Sequence, residues 1–393
     1  MPHIPASIRF TRRPAGGVAF LLTLTLLAAV AFGGPLVASP APSDPSAPFE
    51  EFSRGVVAEV TREARQDLGW TVQVTQSLRV RLRSGDGRGR TVEATYAPPE
   101  HAAPLRPGDA VLLIRGTAPG GPAYEVVDRD RLVPLAAAFA LFVAAALAFS
   151  RWQGATALLG LGISLLVLAR FVVPRILAGE HPLGVTLAGA VMIALTSIYL
   201  AHGANRRTTV ALAGLLVTLA AAAGLAILFV SLARLSGAGS EEAVLLQVGH
   251  LAGVNLRGLL LGGILLGALG VLDDITTAQA AAVEEISRAN PSLGPTDLYR
   301  RGLSVGREHI TALVNTLVLA YAGASLPLFL LFTINPDQPL WVTLNTEFVA
   351  EEIVRTLVGS IALVLAVPVT TLLAARFLRG PSGPGQPVPG HSH

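Results

Sequence analysis

Apolar residues follow two different patterns along this chain. Over residues 72–83 they alternate with polar ones: Val72, Val74, Val80 and Leu82 are interleaved with Gln73, Arg79, Arg81 and Arg83. That period of two is the mark of a strand with one buried face. Turn residues at Gly85-Asp86-Gly87, Pro107-Gly108-Asp109 and Pro119-Gly120-Gly121 cut the neighbourhood into short segments. About five strands are expected within residues 49–131, enough for a small β-barrel-like domain of OB type. Elsewhere apolar residues run on without alternation, over lengths near the ~20 residues a membrane-spanning helix needs. Such runs occupy Gly16–Ala38, Leu132–Phe149, Ala155–Val173, Leu183–Ala201, Val210–Leu232, Leu256–Leu272, Ala312–Thr333 and Phe348–Phe377. The predicted fold is a polytopic α-helical membrane bundle of about seven or eight spans, with the small β domain outside the membrane.

Between these elements lie weaker signals. Arg12 and Arg13 precede the first run and Val37-Ala38-Ser39 is small, so residues 1–38 read as a signal-anchor helix or as a cleaved signal; both send the next residues outward. Residues 39–48, SPAPSDPSAP, form a stiff Pro-rich linker. Residues 132–378 make up the transmembrane domain, and the Gly/Pro-rich residues 379–393 read as a disordered tail. Arginine positions set the orientation by the positive-inside rule. Arg12, Arg13, Arg151, Arg206, Arg207, the Arg288–Arg307 loop, Arg376 and Arg379 fall on one side, the cytoplasmic one. Arg175 and Arg234 fall on the other and run against the pattern. Residues 39–131 are then extracytoplasmic and the C-terminus cytoplasmic.

Composition agrees with lipid as the solvent. Hydrophobic residues make up 52% of the 393 and charged ones only 14%, well below the quarter usual in soluble domains. The net charge of +3 is too small to point to nucleic acid, and no aromatic ladder accompanies Arg79, Arg81 and Arg83. That arginine stripe is either a solvated strand face or a contact for an anionic polymer or lipid headgroups. There is no cysteine, which rules out disulfides, thiol catalysis and cysteine metal sites. No P-loop and no GxGxxG ahead of a helix is present. No cofactor and no metal is expected.

The chemically unusual stretch is Asn255–Ser325. Gly258, Gly262, Gly263, Gly267 and Gly270 are spaced so that a neighbouring helix can approach closely. That helix runs into Asp273-Asp274. On a continuing helix Asp273, Thr277 and Glu284 share a face. Carboxylates at the membrane boundary are either a proton or cation site or the polar cap of a cytoplasmic helix. Farther on, Thr311, Asn315, Val318, Ala322 and Ser325 make a small, partly polar stripe along one face. Asn315 within the apolar region needs a partner from another helix, water or ligand. Pro327 and Pro368 predict kinks in their helices. Arg307, Glu308 and His309 read as an ion cluster at the membrane edge, and Glu351, Glu352 and Arg355 as a paired or solvated helix end.

The runs GALGVLDDITTAQAAAVEEI (267–286), LYRRGLSVGREHITALVNTLVLAYAGASLPL (298–328), EEIVRTLVGSIALVLAVPVTTLLA (351–374) and GANRRTTVALAG (203–214) resemble the YibE/F family of multi-spanning bacterial membrane proteins. The resemblance covers most of the chain from about residue 130. It implies a bacterial inner-membrane location and several spans, and no agreed activity. The family's Asp after the Gly-rich helix corresponds to Asp274, with Asp273 an added acid. Its arginine and following acid correspond to Arg307 and Glu308, its Asn-Thr-Leu to Asn315, Thr316 and Leu317, and its Ala-Tyr to Ala320 and Tyr321.

Two functions compete. One is a secondary transporter or permeation protein for a small solute or ion, coupled to protons or cations through Asp273 or Asp274, with Asn315 and Tyr321 along the path. The other is a non-enzymatic sensor or assembly factor whose outer domain binds a lipid, polymer or protein. A protein partner or a homo-oligomer is compatible with either. An enzyme is not expected. An aspartyl dyad needs two carboxyls about 3 Å apart that share a proton, whereas adjacent residues on a helix diverge by about 100°.

Overall fold

The computed structural model describes residues 51–67, 72–85, 87–98, 103–118, 121–248, 253–326, 330 and 339–379. The expectations for Gly16–Ala38, the 39–48 linker, Pro327 and the tail beyond Arg379 lie outside the described residues. The chain divides into two compact units, one within Ser39–Arg151 and the other from Trp152 onward.

Five strands build the first unit: β1 (Glu51–Asp67), β2 (Val72–Leu82), β3 (Thr91–Tyr96), β4 (Ala110–Ala118) and β5 (Gly121–Arg129). They close into a barrel in the order β1-β2-β3-β5-β4. Only the β3–β5 pair is parallel among the described residues. β1 serves two neighbours, β4 through Glu51–Val56 and β2 from Gly55 onward. It turns from one to the other at Gly55, where a Cβ would overlap Val80 and lie 2.9 Å from Leu113 Cδ1. Leu78, Val80 and Leu82 fill the core with Val57, Val111 and Leu113, while Arg79, Arg81 and Arg83 stand exposed, as the alternation requires. Arg79 pairs with Glu59 at 3.3 Å. Buried Gln76 holds the approach to β4 by two bonds: its Oε1 accepts from the Leu105 amide (2.8 Å) and its Nε2 donates to the Leu105 carbonyl (3.3 Å). After β5, Asp128 accepts from Arg131 Nη1 (2.6 Å) and from the Arg129 amide (2.7 Å). These contacts, the guanidinium foremost, hold its carboxyl below the usual range.

Helix α1 (Leu132–Val167) follows, interrupted by Arg151 at φ 49°, ψ −123°. A non-glycine residue in that region ends regular helical hydrogen bonding, so the break falls between the two predicted spans. A π turn (Leu168–Val172) and α2 (Val173–Leu177) continue it. Then come α3 (Pro182–His202), α4 (Arg206–Leu232), α5 (Glu241–Val248), α6 (Leu256–Ala289), α7 (Pro295–Ala324), α8 (Leu340–Leu344) and α9 (Glu347–Phe377). Among the described residues five helical runs are long and apolar enough to cross a membrane: Leu132–Leu177, α3, α4, α6 and α9. α7, which carries the start of the predicted Ala312–Thr333 span, is not one of them.

In the helical unit α6 packs against α3, α4, α7 and α9. Its core joins Leu265, Ala268, Leu272 and Ile275 to α3, α4 and the α9 residues Ala362, Leu363, Ala366 and Val367. The two ends differ. At one, Val210, Ala280, Leu298 and Ala375 cluster, bringing together the ends of helices that carry Arg206, Arg207, Arg288 and Arg376. At the other, Leu235, Leu260 and Val358 pack, and the turn after α4 clasps two carboxylates of α9. Glu347 Oε1 accepts from the Ser236 amide (2.5 Å) and hydroxyl (2.6 Å), and Glu351 Oε1 from the Gly239 amide (3.1 Å). Glu351 is therefore buried in that clasp, while Glu352 alone of the pair bonds Arg355, at 2.9 Å.

Candidate functional site

The Gly-rich half of α6 is the part that lets polar groups enter its core. Asn255 caps the helix by accepting from the Gly258 amide at 2.9 Å. A Cβ on Gly258 would sit 3.1 Å from Pro182 Cδ, and one on Gly262 would sit 2.6 Å from Thr186 Oγ1, so α3 packs along this line. Gly267 faces the Tyr321 hydroxyl, 3.0 Å from where its Cβ would be. Gly263 and Gly270 have open space beside them.

Asp273 follows on the same helix, half-buried, and its Oδ2 accepts a 2.9 Å hydrogen bond from Ser197 Oγ of α3. Asp274 is exposed. Thr277 turns its hydroxyl back to the Asp273 carbonyl (2.9 Å) and the Asp274 carbonyl (3.1 Å). It also borders a cleft of about 260 Å³ shared with His202, Arg207 and Thr208. The capping box at the start of α4 fixes that wall. Asn205 Oδ1 accepts from the Thr208 amide and Thr208 Oγ1 from the Asn205 amide, each at 3.0 Å. Two turns beyond Thr277, Glu284 bridges Arg207 (3.6 Å) and Arg288 (2.9 Å) and lines a second cleft of about 420 Å³ with Arg206, Ser287 and Arg379. Asp273, Thr277 and Glu284 thus form one polar line on α6, leading from a half-buried carboxylate to the basic end of the bundle.

The other predicted residues lie elsewhere. Arg307, Glu308, His309, Asn315 and Thr316 are exposed on α7, and no hydrogen bond or ion pair joins them to Asp273 or Asp274 among the described residues. Tyr321 borders a largely apolar cavity of about 560 Å³ with Ser325, Glu352 and Thr356. Pro368 lies inside α9. No group of three His, Asp or Glu residues placed to hold a metal occurs among the described residues.

One polar junction has no counterpart in the sequence reading. Gln279, fully buried, donates from Nε2 to the Gly302 carbonyl (2.8 Å) and to Thr371 Oγ1 (2.7 Å). Gly306 lets α7 come this close: a Cβ there would overlap Val367 and lie 3.0 Å from Gln279 Oε1. Gly214 does the same for Thr370. The available signal was the pair Gly302 and Gly306, two glycines four positions apart.

A family model for YibE/F-like proteins matches residues 138–380. The chain belongs to the YibE/F-like family. The match spans the helical region from within α1 to the end of α9 and leaves the barrel outside it. With the apolar helices, this family places the chain among multi-pass membrane proteins. A search of curated proteins and one of solved structures returned no match.

Proposed function

We propose that this YibE/F-like protein moves a small solute or a cation across the bacterial cytoplasmic membrane, with Asp273 taking up and releasing a proton or cation in each cycle. The observation that carries the reading is the Ser197–Asp273 hydrogen bond. It holds a half-buried carboxylate inside an apolar helix against a neighbouring helix. Ionisable groups inside spans are costly and by default mark ion or proton paths. The Thr277 cleft and the Glu284–Arg207–Arg288 network continue that path to the basic end. The reading is non-enzymatic: Ser197, not Asp274, is the hydrogen-bond partner of Asp273, so the two acids do not form a proton-sharing dyad.

The topology that goes with it has about seven or eight crossings. Leu132–Leu177, 46 residues long, is over twice the ~20 residues of one span and supplies two, divided at Arg151. α3, α4, α6 and α9 supply four more, and Ala312–Thr333 and Gly16–Ala38 complete the set. The basic end faces the cytoplasm. Arg175 and Arg234, toward the other side, count against this orientation but are outnumbered by the arginines of the basic end; Arg175 pairs with Glu180 at 3.4 Å. The barrel is extracytoplasmic, and its strand order, with a parallel β3–β5 closure, supports an OB-type reading.

The test is flux in proteoliposomes, read with an entrapped pH dye and a panel of monovalent and divalent cations. Wild-type protein is expected to exceed empty vesicles for at least one of these. Asp273→Asn, incorporated equally well, should bring that flux down to the empty-vesicle level. Flux that Asp273→Asn leaves intact would remove the residue from the cycle. A wild-type protein indistinguishable from empty vesicles throughout would overturn the transport reading, and loss of cellular function on deleting residues 49–131 would then favour a sensor.

A further inference from the structure

Three helix ends meet at the basic end of the bundle: the start of α4 at Arg206, the end of α6 at Ala289 and the end of α9 at Phe377. One helix N-terminus joins two C-termini there, so backbone dipoles supply no excess of positive charge and the side chains decide its sign. The Glu284 carboxylate lies between Arg207 (3.6 Å) and Arg288 (2.9 Å), and Arg288 also reaches Glu285 at 2.8 Å. Arginines and glutamates balance in that network. Arg206 and Arg379 are exposed, form no ion pair among the described residues, and line the cleft of about 420 Å³ beside it. Positive side chains on one cleft repel each other unless an anion lies between them. The same cleft has an apolar wall: Phe377, 61% exposed, stands on it at the last residue of α9, next to Leu378.

We propose that this cleft binds the phosphodiester headgroup of an anionic phospholipid. A guanidinium presents paired N–H donors that match phosphate oxygens, and those of Arg206 and Arg379 are uncommitted. Basic clefts between the ends of spanning helices suit such headgroups. α4 and α9 are both long and apolar enough to cross a membrane, and the two arginines stand where their apolar stretches stop. A phosphate bound there leaves its glycerol and first acyl carbons against Phe377. A soluble phosphate has the same charge chemistry but makes no use of that exposed ring, which favours the lipid. Arg300 and Arg301 on α7 are also exposed and without an ion pair among the described residues, but they do not line this cleft. The inference does not depend on transport.

The test titrates delipidated full-length protein in a neutral detergent with phosphatidylglycerol, phosphatidylcholine and inorganic phosphate, reading bound adducts by native mass spectrometry. Phosphatidylglycerol is expected to fill one saturable site that phosphatidylcholine, with its added choline cation, does not. Arg206→Gln/Arg379→Gln should weaken that binding on the order of tenfold. Arg300→Gln/Arg301→Gln, the same loss of charge on α7, should leave it unchanged. Equal weakening by both pairs would overturn the site in favour of diffuse attraction, and equal binding of the two lipids would overturn it outright. Saturation by inorganic phosphate with no gain from phosphatidylglycerol would overturn the lipid assignment in favour of a soluble anion. A photoactivatable phosphatidylglycerol on the wild-type protein gives a reading independent of any variant. Adducts are expected within residues 206–207, 287–291 and 376–379, and adducts confined to other segments would overturn the proposal.

Discussion

Helices α6 and α7 lie side by side, and both carry polar side chains at the depth of the apolar core. On α6 most polar groups find partners inside the chain: Asp273 with Ser197, Gln279 Nε2 with Gly302 and Thr371, Thr276 with the Leu272 carbonyl; the Gln279 Oε1 alone of these is buried without one among the described residues. On the outward face of α7, Asn315 finds none among the described residues. Both helices obey one constraint, that a polar group out of reach of water must be satisfied by protein. The difference lies in where that protein comes from. Groups satisfied within the fold can be tuned as a site, and α6 has a polar line leading toward two clefts. An unsatisfied group on an outer face requires a neighbour from beyond the described residues.

The comparison breaks most readily where the two helices touch. Gly306→Ala sets a methyl into Val367 and against Gln279 Oε1. Overpacking of this kind costs about 1–3 kcal/mol, and here it also spreads the two helices that hold the Gln279 junction. A clear fall in melting temperature and in the monodisperse fraction on size-exclusion chromatography in detergent is expected. Gly263→Ala, on the same α6 line but beside open space, should raise stability by roughly 0.5–1 kcal/mol through helix propensity alone. Equal behaviour of the two variants would mean that α7 is not held at Gly306.

How much of this the sequence disclosed depends on whether a feature is local. Alternation at Leu78, Val80 and Leu82 implies a strand in any context, and the uncharged runs imply spans, because each pattern reflects one element and its solvent. Asp273 stood out because a carboxylate at the edge of an apolar run is costly wherever its helix lies. Gln279 did not, since past Asp273-Asp274 a glutamine reads as the polar side of a cytoplasmic helix. Its burial depends on α7 arriving at Gly302 and α9 at Thr371, a matter of register between helices distant in sequence. Glu351 shows the same limit: spacing suggested Arg355 as partner, but the turn at Gly239 supplies the bond. The polar stripe on α7 was legible as a period, whereas the direction it faces was not.

A smaller effect sharpens the α6 side of the comparison. Ser197→Ala removes the donor from Asp273 Oδ2. Hydrogen bonds to charged groups are worth about 1.5–3 kcal/mol and those between neutral groups about 0.5–1.5 kcal/mol. A drop in thermal stability is expected in the wild-type background, and little further drop in Asp273→Leu, where the acceptor is already gone. Additive losses in the double-mutant cycle would show that the two residues do not act as a pair.

The smallest effect comes from an exposed pair, which serves as a reference for the buried ones on α6. Asp128 and Arg131 meet at 2.6 Å beside the barrel, both largely exposed, where solvent screening leaves an ion pair worth little. The Asp128 carboxyl is held below its usual range, chiefly by the Arg131 guanidinium. A depressed acid stabilises the fold at pH above its unfolded value, about 3.9, and that contribution is lost as pH falls through the folded value. The pair's contribution to barrel stability should therefore be constant with pH near neutrality and decline at acid pH. Amide hydrogen exchange in β5 of the full chain, followed between pH 6 and pH 3, should show a shallower acid decline in Asp128→Asn than in wild type. Coincident curves would mean that the exposed pair contributes nothing, and would leave burial of the polar groups on α6 as the reason their partners matter.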